Sequence, residues 1–292
     1  MTSLAVVLVL TSGVIHATWN FLVKRSGHKV IFFWAMATVG LIVFVAPALG
    51  FALAAGFGWT ALGFALGTMV LHAVYGIALT RGYYLGDLSS VYPVSRGMGP
   101  ALVPLLAVII FDETVSFEAG IGIALVVFGI YAIHIDSRFW RDVGHPLKAL
   151  TTPATRVALF TGLVISCYSL WDKAGLDHDI PPMTLIGFTL IGNVLGLTPA
   201  ILWATDAARL RSEWAAHKVS IVAAGLLAPL GYTLVLIALT TSKVSYVAPA
   251  REVGIVLGTA MGVLWLGEGY GLTRIWGSAL VVAGVITLAL AP

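Results

Sequence analysis

Histidine, asparagine and tryptophan side chains occur at helical spacing inside the first apolar segment of this sequence. His16 and Asn20 lie four residues apart on one helical face, with Trp19 beside them. Polar groups in hydrocarbon are costly, so those that occur there usually face a cavity or a neighbouring helix. We therefore expect these side chains to recognise a small solute in a cavity between helices.

Further apolar segments carry similar polar and aromatic stripes. His72 and Tyr75 share one helical face, and Tyr92 and Arg96 share another. Aromatic rings stack on flat or apolar groups and attract ammonium ions, and imidazole and phenol groups form hydrogen bonds. The alternative is that these rings pack between helices or lie in the interfacial belt. The predicted substrate-binding residues are His16, Trp19, Asn20, His72, Tyr75, Tyr92, Tyr168 and Trp171.

The composition places these segments in a membrane. Of 292 residues, 59% are hydrophobic and 10% are charged, and the mean hydropathy is +1.00. Soluble domains carry about 25% charged residues, so this composition excludes a soluble enzyme and a disordered protein. A net charge of +3 spread over loops also argues against nucleic-acid binding. The single cysteine, Cys167, excludes an internal disulfide and a cysteine-based zinc site.

Ten apolar segments are long enough to cross a membrane as helices, and they lack the alternation of barrel strands. The first has no basic leader and no A-x-A-like site, so we expect a span and not a signal peptide. Residues 30–80 contain two segments, divided near Pro47 and Gly56. We expect a long connection at Ala204–Lys218. The other segments are Met1–Val23, Leu88–Phe111, Phe117–Ile135, Val157–Trp171, Pro182–Trp203, Val219–Thr241, Val244–Gly267 and Leu272–Ala291.

The two halves of the chain resemble each other. A shift of 155 residues places Glu113 on Glu268 and Arg96 on Arg251, and charged membrane residues rarely match in one register by chance. A shift of 149 aligns the first segments. We predict a first repeat over 1–135, a linker over 136–156 and a second repeat over 157–292. The 155-residue shift also pairs Ser90 with Ser245, Gly99 with Gly254 and Gly122 with Gly277, and it pairs Gly129 with Gly284.

Each repeat holds five segments, an odd number, so the second must enter the membrane from the opposite side. Inverted repeats about an axis in the membrane plane are typical of secondary transporters, whose solute site lies near the midplane. The sequence therefore predicts an all-α integral membrane protein. We expect ten transmembrane helices, arranged as two inverted five-helix repeats around a central cavity.

The distribution of Lys and Arg predicts the orientation. With Arg96 and Arg251 set aside, the loops after odd-numbered segments carry twelve of these residues and those after even-numbered segments carry two. The positive-inside rule then places both termini outside. The short loops suit a bacterial plasma membrane.

The charged residues inside spans have two interpretations. Arg96 and Arg251 could bind a carboxylate or phosphate of the solute, or each could pair with helix-end carbonyls or with Glu252 or Asp172. We favour the structural role, because residues matched by symmetry suit a scaffold better than an asymmetric solute. Glu113 and Glu268 end their spans, and we expect them to anchor loops.

Several motifs resemble those of the EamA family in the drug/metabolite transporter superfamily. They are His16–Asn20, Tyr92–Gly97 and Asp112–Thr114 in the first half, with Tyr168–Lys173 and Leu266–Glu268 repeated in the second. Together, these motifs extend over nearly the whole chain. The resemblance implies a ten-helix fold whose segments 1, 3, 4, 6, 8 and 9 line the central cavity. It also implies cytoplasmic termini, in conflict with the charge count, which we retain.

The resemblance implies transport of small metabolites, often export of amino acids, including aromatic ones. Other members transport drugs, sugar phosphates or nucleotide sugars, and these remain alternatives. An intramembrane lipid-modifying enzyme and a channel are less favoured, because the spans lack catalytic clusters and the chain contains an inverted repeat. We expect no enzyme activity, cofactor or nucleic-acid partner.

Coupling and oligomeric state remain open from the sequence. His16, His72 and Glu252 could serve proton coupling, but facilitated diffusion and exchange fit equally well. Gly254, Gly258 and Gly262 recur every four residues and allow close helix approach, either within the protein or to a second copy. We therefore expect a monomer or a weak homodimer. Pro93 and Pro249 occupy nearly equivalent positions and predict similar bends in both halves.

Overall fold

The computed structural model describes residues 1–85, 88–134, 153–266 and 272–292, and these ranges are almost entirely helical. Eleven helices occur in them. They are α1 (Ser3–Lys24), α2 (Lys29–Ala54), α3 (Trp59–Leu85), α4 (Leu88–Ile110), α5 (Phe117–His134), α6 (Pro153–Asp177), α7 (Pro182–Ala204), α8 (Ala207–Thr241), α9 (Val244–Ala250), α10 (Val253–Leu266) and α11 (Leu272–Leu290).

These helices define a multi-pass membrane protein. Seven stretches of the described residues are long and apolar enough to cross a membrane, with α9 and α10 together forming one of them. Two shorter apolar helical stretches cover Ser95–Ile110 and Phe117–Ile133. The prediction of an all-helical membrane protein is confirmed for the described residues.

The connection expected at Ala204–Lys218 is wrong, because α8 already begins at Ala207. The Asp206 side chain accepts a hydrogen bond from the Arg209 amide at 2.7 Å and caps the helix, and the following residues favour helix. Glu213 in this extension is buried and accepts a hydrogen bond from the His28 amide at 3.1 Å. The polar start of α8 thus holds the α1–α2 connection.

The segment expected over Val244–Gly267 is broken. α9 ends at Ala250 and α10 begins at Val253, with Arg251 and Glu252 between them. Pro249 lies inside α9, two residues before Arg251. Helix α4 continues from Leu88 to Ile110 without such a break, and the similar bends expected at Pro93 and Pro249 stay a prediction.

Packing between the two halves of the chain builds the bundle. Helix α1 packs on α8 and α10, α6 packs on α3 and α4, and α7 packs on α2 and α3. Lipid supplies little hydrophobic drive between helices, so close packing of small residues matters. A Cβ on Gly254 would lie 3.1 Å from the Gly13 carbonyl oxygen, whereas one on Gly258 would meet no atom within 4 Å. The expected glycine ridge therefore contacts α1 through Gly254.

Helices α5 and α11 pack antiparallel through four glycines. A Cβ on Gly122 would lie 3.0 Å from the Gly284 carbonyl oxygen, and one on Gly129 would lie 2.7 Å from the Gly277 carbonyl oxygen. Early residues of α5 thus contact late residues of α11. Only glycine permits this separation of the two backbones.

Candidate functional site

An internal cavity of about 120 Å³ lies among the helices of both halves. One water molecule needs about 10–15 Å³ of such a cavity, so this cavity has room for roughly ten waters. A small metabolite occupies a similar space. Residues of α2 and α7 contribute to its wall, although the sequence resemblance had not placed these helices there. Its small and aliphatic lining residues include Ser12, Met36, Ala37, Ile186, Leu190, Ala228, Gly231 and Val235.

Five of the substrate-binding residues expected from the sequence lie on the wall of this cavity. Helix α1 contributes two of them, α3 two and α6 one, because their helical spacing turns them toward the same interior. These residues are His16, Trp19, His72, Tyr75 and Tyr168.

The other three residues of that set have different surroundings. Asn20 donates a hydrogen bond to the His16 carbonyl oxygen at 2.8 Å and lines a smaller adjoining pocket. The side chain of Tyr92 lies outside the described residues. Trp171 lies outside the cavity and is 38% exposed.

The expectation for Trp171 is corrected by its contacts with α3. Its indole N–H donates to the Phe64 carbonyl oxygen at 2.9 Å, and its ring lies directly against Gly67. The absent side chain of Gly67 leaves the space that the indole fills. Trp171 therefore holds α6 to α3, and its neighbour Tyr168, three residues earlier, faces the cavity.

Four aromatic rings pack against one another in one wall of the cavity. The His72 and Tyr168 ring centroids are 4.4 Å apart with planes at 32°, and Tyr75 meets Tyr168 edge-on at 5.7 Å. Tyr232 of α8 meets Tyr168 at 6.2 Å with an interplanar angle of 89°. Such a wall offers ring faces to an apolar or aromatic group of a solute.

The Asp172 carboxylate holds two residues of this wall region, Thr68 and Tyr232, by hydrogen bonds. It is fully buried, and its two carboxylate oxygens accept hydrogen bonds from Thr68 Oγ1 and from the Tyr232 hydroxyl, each at 2.5 Å. His72 Nδ1 lies 3.0 Å from the Thr68 carbonyl oxygen, which can only accept, so Nδ1 carries a hydrogen. This network joins α3, α6 and α8 and orients the rings of His72 and Tyr232.

Two guanidinium groups and one carboxylate form the charged part of the site. Arg96 pairs with Glu252 at 3.0 Å, and Arg251 Nε lies 3.8 Å from the other Glu252 oxygen. Arg96 also lies 3.1 Å from His16 Nε2. Because a guanidinium only donates hydrogen bonds, Nε2 accepts and His16 is neutral here. Both arginines line the cavity. Of the two acidic partners expected from the sequence, Glu252 lies within 4 Å of each arginine, whereas the Asp172 oxygens accept hydrogen bonds from hydroxyl groups.

Helix α7 contributes polar groups that the sequence analysis missed. Thr189 and Asn193 lie four residues apart on one face of α7, and both line the cavity. Their Oγ1 and Oδ1 atoms are buried without a hydrogen-bond partner in the described part of the chain. The i, i+4 spacing of these polar residues in an apolar segment was the signal available in the sequence.

Fold and site together define a helical membrane protein with a polar and aromatic interior cavity. The model of the EamA-like transporter family, which belongs to the drug/metabolite transporter superfamily, matches residues 154–290 of this chain. This match confirms the family that the sequence motifs indicated, over the second of the two predicted repeats. A transporter family fits a protein that is not an enzyme.

A solved crystal structure shares the fold. It aligns over 99% of this chain and 99% of its own, with a TM-score of 0.73 and 17% sequence identity. At this identity the likeness concerns the fold alone. No curated protein matches the chain.

Proposed function

We propose that this protein is a secondary transporter that moves small metabolites by alternating access. The observation that carries the proposal is the interior cavity, where aromatic rings and buried charges meet inside a bundle of membrane-crossing helices. Polar and charged groups at membrane depth typically mark a solute pathway. The match of residues 154–290 to a transporter family supports the same function.

The glycine contacts between α5 and α11 support two inverted repeats. In the 155-residue register, Gly122 is equivalent to Gly277 and Gly129 to Gly284. Gly122 contacts Gly284, and Gly129 contacts Gly277. Reciprocal contacts of this kind are typical of elements related by a two-fold axis, and the antiparallel packing of α5 and α11 favours an axis that lies in the membrane plane.

Other pairs of packed helices show the same symmetry between the two halves of the chain. When each helix is replaced by its equivalent in the other half, the pair α1–α8 becomes α6–α3, and α1–α10 becomes α6–α4. Both members of each exchange occur in the bundle. Alternating access uses two packings of such repeats, each opening the cavity to one side.

We propose amino acids with aromatic or other apolar side chains as exported substrates. The rings of His72, Tyr75, Tyr168 and Tyr232 suit an aromatic or apolar group, and the nearby charges suit a zwitterionic head. A second candidate is a phosphorylated solute such as a sugar phosphate or nucleotide sugar. It is favoured by the two guanidinium groups of Arg96 and Arg251 on the cavity wall.

Counterflow in proteoliposomes tests the function. Vesicles preloaded with one unlabelled solute are assayed for uptake of the same labelled solute, across amino acids and phosphorylated sugars. Saturable counterflow of phenylalanine or tryptophan supports amino-acid transport. Counterflow of phosphorylated sugars alone selects the second candidate. If no amino acid and no phosphorylated sugar shows counterflow, the proposal is contradicted for both classes of solute.

Two matched pairs of variants test whether the cavity is the transport site. His72→Gln is compared with His178→Gln, because each histidine contacts the carbonyl four residues earlier but His178 is exposed. Trp19→Phe is compared with Trp203→Phe, which changes an indole 88% exposed at the end of α7. Counterflow lost in the cavity variants alone supports the site. Equal effects within each pair contradict it.

A further inference from the structure

Residues that line the cavity carry buried polar atoms with no hydrogen-bond partner in the described ranges. Three of these atoms are Arg251 Nε, Thr189 Oγ1 and Asn193 Oδ1. Arg251 is 8% exposed and Thr189 is 7% exposed, so bulk water does not satisfy them. Buried polar groups in folded proteins nearly always have a partner, so these three atoms need one inside the cavity, and a bound solute can supply it.

The surroundings of Arg251 leave its Nε–H group in need of a hydrogen-bond acceptor. Glu252 lies 3.8 Å from Arg251 Nε, beyond hydrogen-bond distance, and it already pairs with Arg96 at 3.0 Å. Both Asp172 oxygens accept hydrogen bonds from hydroxyl groups. Guanidinium groups stay charged, and Arg96 and Arg251 share one carboxylate within 4 Å, that of Glu252. The Asp172 carboxylate adds a second negative charge nearby, but Arg251 Nε has no hydrogen-bond acceptor among the described residues. A carboxylate fits the planar fork of a guanidinium.

The polar face of α7 indicates which chemical group of the solute lies beside its carboxylate. Thr189 and Asn193 share one face of α7, and Asn193 Oδ1 is an acceptor that requires a donor. The Thr189 hydroxyl both donates and accepts. An amino or hydroxyl group next to the carboxylate would satisfy both residues. The cavity is small enough for one solute to meet α7 and the α9–α10 break together.

We propose that Arg251, Thr189 and Asn193 form the polar recognition subsite of the cavity. Arg251 binds the carboxylate of the solute, and Thr189 and Asn193 bind the amino or hydroxyl group beside it. The rings of His72 and Tyr168 then hold the apolar remainder. This inference rests on the proposed function and assigns specificity to a helix that the family resemblance had left outside the cavity.

A ligand series on the purified full-length protein in detergent tests the subsite without mutation. Isothermal titration calorimetry compares phenylalanine, phenyllactate, phenylpropionate and phenethylamine. Losing the carboxylate removes a hydrogen bond to a charged group, so phenethylamine should bind roughly 10- to 100-fold more weakly than phenylalanine. Phenylpropionate, which lacks the donor, should be intermediate. The better of phenylalanine and phenyllactate identifies the donor as amino or hydroxyl.

Variants assign the groups. Asn193→Leu and Thr189→Val should weaken binding of the preferred donor-bearing ligand about threefold to tenfold and leave phenylpropionate unchanged. Thr184→Val is the control, because Thr184 Oγ1 is also buried without a partner in the described part of α7 but does not line the cavity. Arg251→Gln should reduce the difference between phenylalanine and phenethylamine. Thermal unfolding of each variant identifies those that fail to fold.

Several outcomes overturn the subsite. Phenethylamine binding as tightly as phenylalanine removes the role of Arg251, and equal effects of Thr184→Val and Thr189→Val remove that of α7. If none of the four ligands binds while another solute shows counterflow, the subsite falls and the transporter stands. If the ligands bind in the expected order without counterflow, the subsite stands and the transport proposal falls.

Discussion

Gly129 of α5 and Gly277 of α11 face each other so closely that a Cβ on either would lie 2.7 Å from the carbonyl oxygen of the other. Real Cβ atoms essentially never approach an oxygen this closely, so two helix backbones touch here without side chains between them. Each glycine belongs to one of the two proposed repeats. The contact therefore joins the repeats near their ends.

Gly129→Ala should destabilise the protein by about 1–3 kcal/mol, because the methyl group overfills this contact. Gly120→Ala on the same helix is the control, since its Cβ would meet no atom within 4 Å. There, the gain in helix propensity should leave stability unchanged or raise it by up to about 1 kcal/mol. Thermal unfolding in detergent measures both. Equal melting temperatures for the two variants would show that α5 and α11 are loosely packed.

The carboxylate of Asp172 should be strongly coupled to Tyr232. Removing either partner leaves a buried polar group without its hydrogen bond, at about 1–3 kcal/mol. Asp172→Ala and Tyr232→Phe should therefore be less than additive, with a coupling energy of about 0.5–3 kcal/mol in a double-mutant cycle of unfolding free energies. The same cycle between Asp172→Ala and Trp203→Phe is the control, and it should give no coupling. A zero coupling energy for Tyr232 would contradict the network.

Glu113 should stabilise the start of α9. Its carboxylate accepts hydrogen bonds from the Val244 amide at 2.9 Å, from the Ser245 amide at 3.0 Å and from Ser245 Oγ at 2.5 Å. It thereby caps the helix as a charged N-terminal acceptor does. Glu113→Ala should cost about 0.5–2 kcal/mol, and Glu113→Gln should cost less, because one oxygen remains.

Glu118→Gln is the matched control for Glu113→Gln, because Glu118 is exposed in the first turn of α5. Chemical denaturation of the three variants in detergent compares them. If Glu113→Gln and Glu118→Gln have the same small effect, Glu113 does not anchor α9. Lys243 Nζ also donates to the Thr114 carbonyl oxygen at 2.7 Å, so Glu113 is not the sole residue that holds this loop to α9.

The Lys and Arg distribution predicts that both termini lie outside a bacterial plasma membrane. A C-terminal alkaline phosphatase fusion should then be active, and a C-terminal green fluorescent protein fusion should be dark. The same reporters placed after Asp206, in a predicted inside connection, should give the opposite pattern. A fluorescent, phosphatase-negative C-terminus would establish the reverse orientation, which the family resemblance implies.

Membrane residence and the helical segments were readable from the sequence. They follow from one-dimensional quantities, since about 20 apolar residues are needed to cross hydrocarbon and charges are excluded from that length. The resemblance to the EamA family was also readable, because the motifs around Trp19, Arg96 and Trp171 keep their order, and the family model matches the half that contains Trp171. The 155-residue shift also aligned Gly122 with Gly277 in the sequence. It did not predict that Gly122 contacts Gly284 and that Gly277 contacts Gly129.

Tertiary structure alone decided which face of each helix meets the cavity. Trp171 and Tyr168 lie three residues apart on α6, yet only Tyr168 reaches the interior, because Gly67 leaves a groove for the indole. In a membrane, the lipid-facing and protein-facing sides of a helix are both apolar, so hydrophobic periodicity does not determine its rotation. For the same reason, packing decided that the face of α7 with Thr189 and Asn193 lines the cavity, and it decided between Glu252 and Asp172 as the acidic neighbour within 4 Å of Arg251.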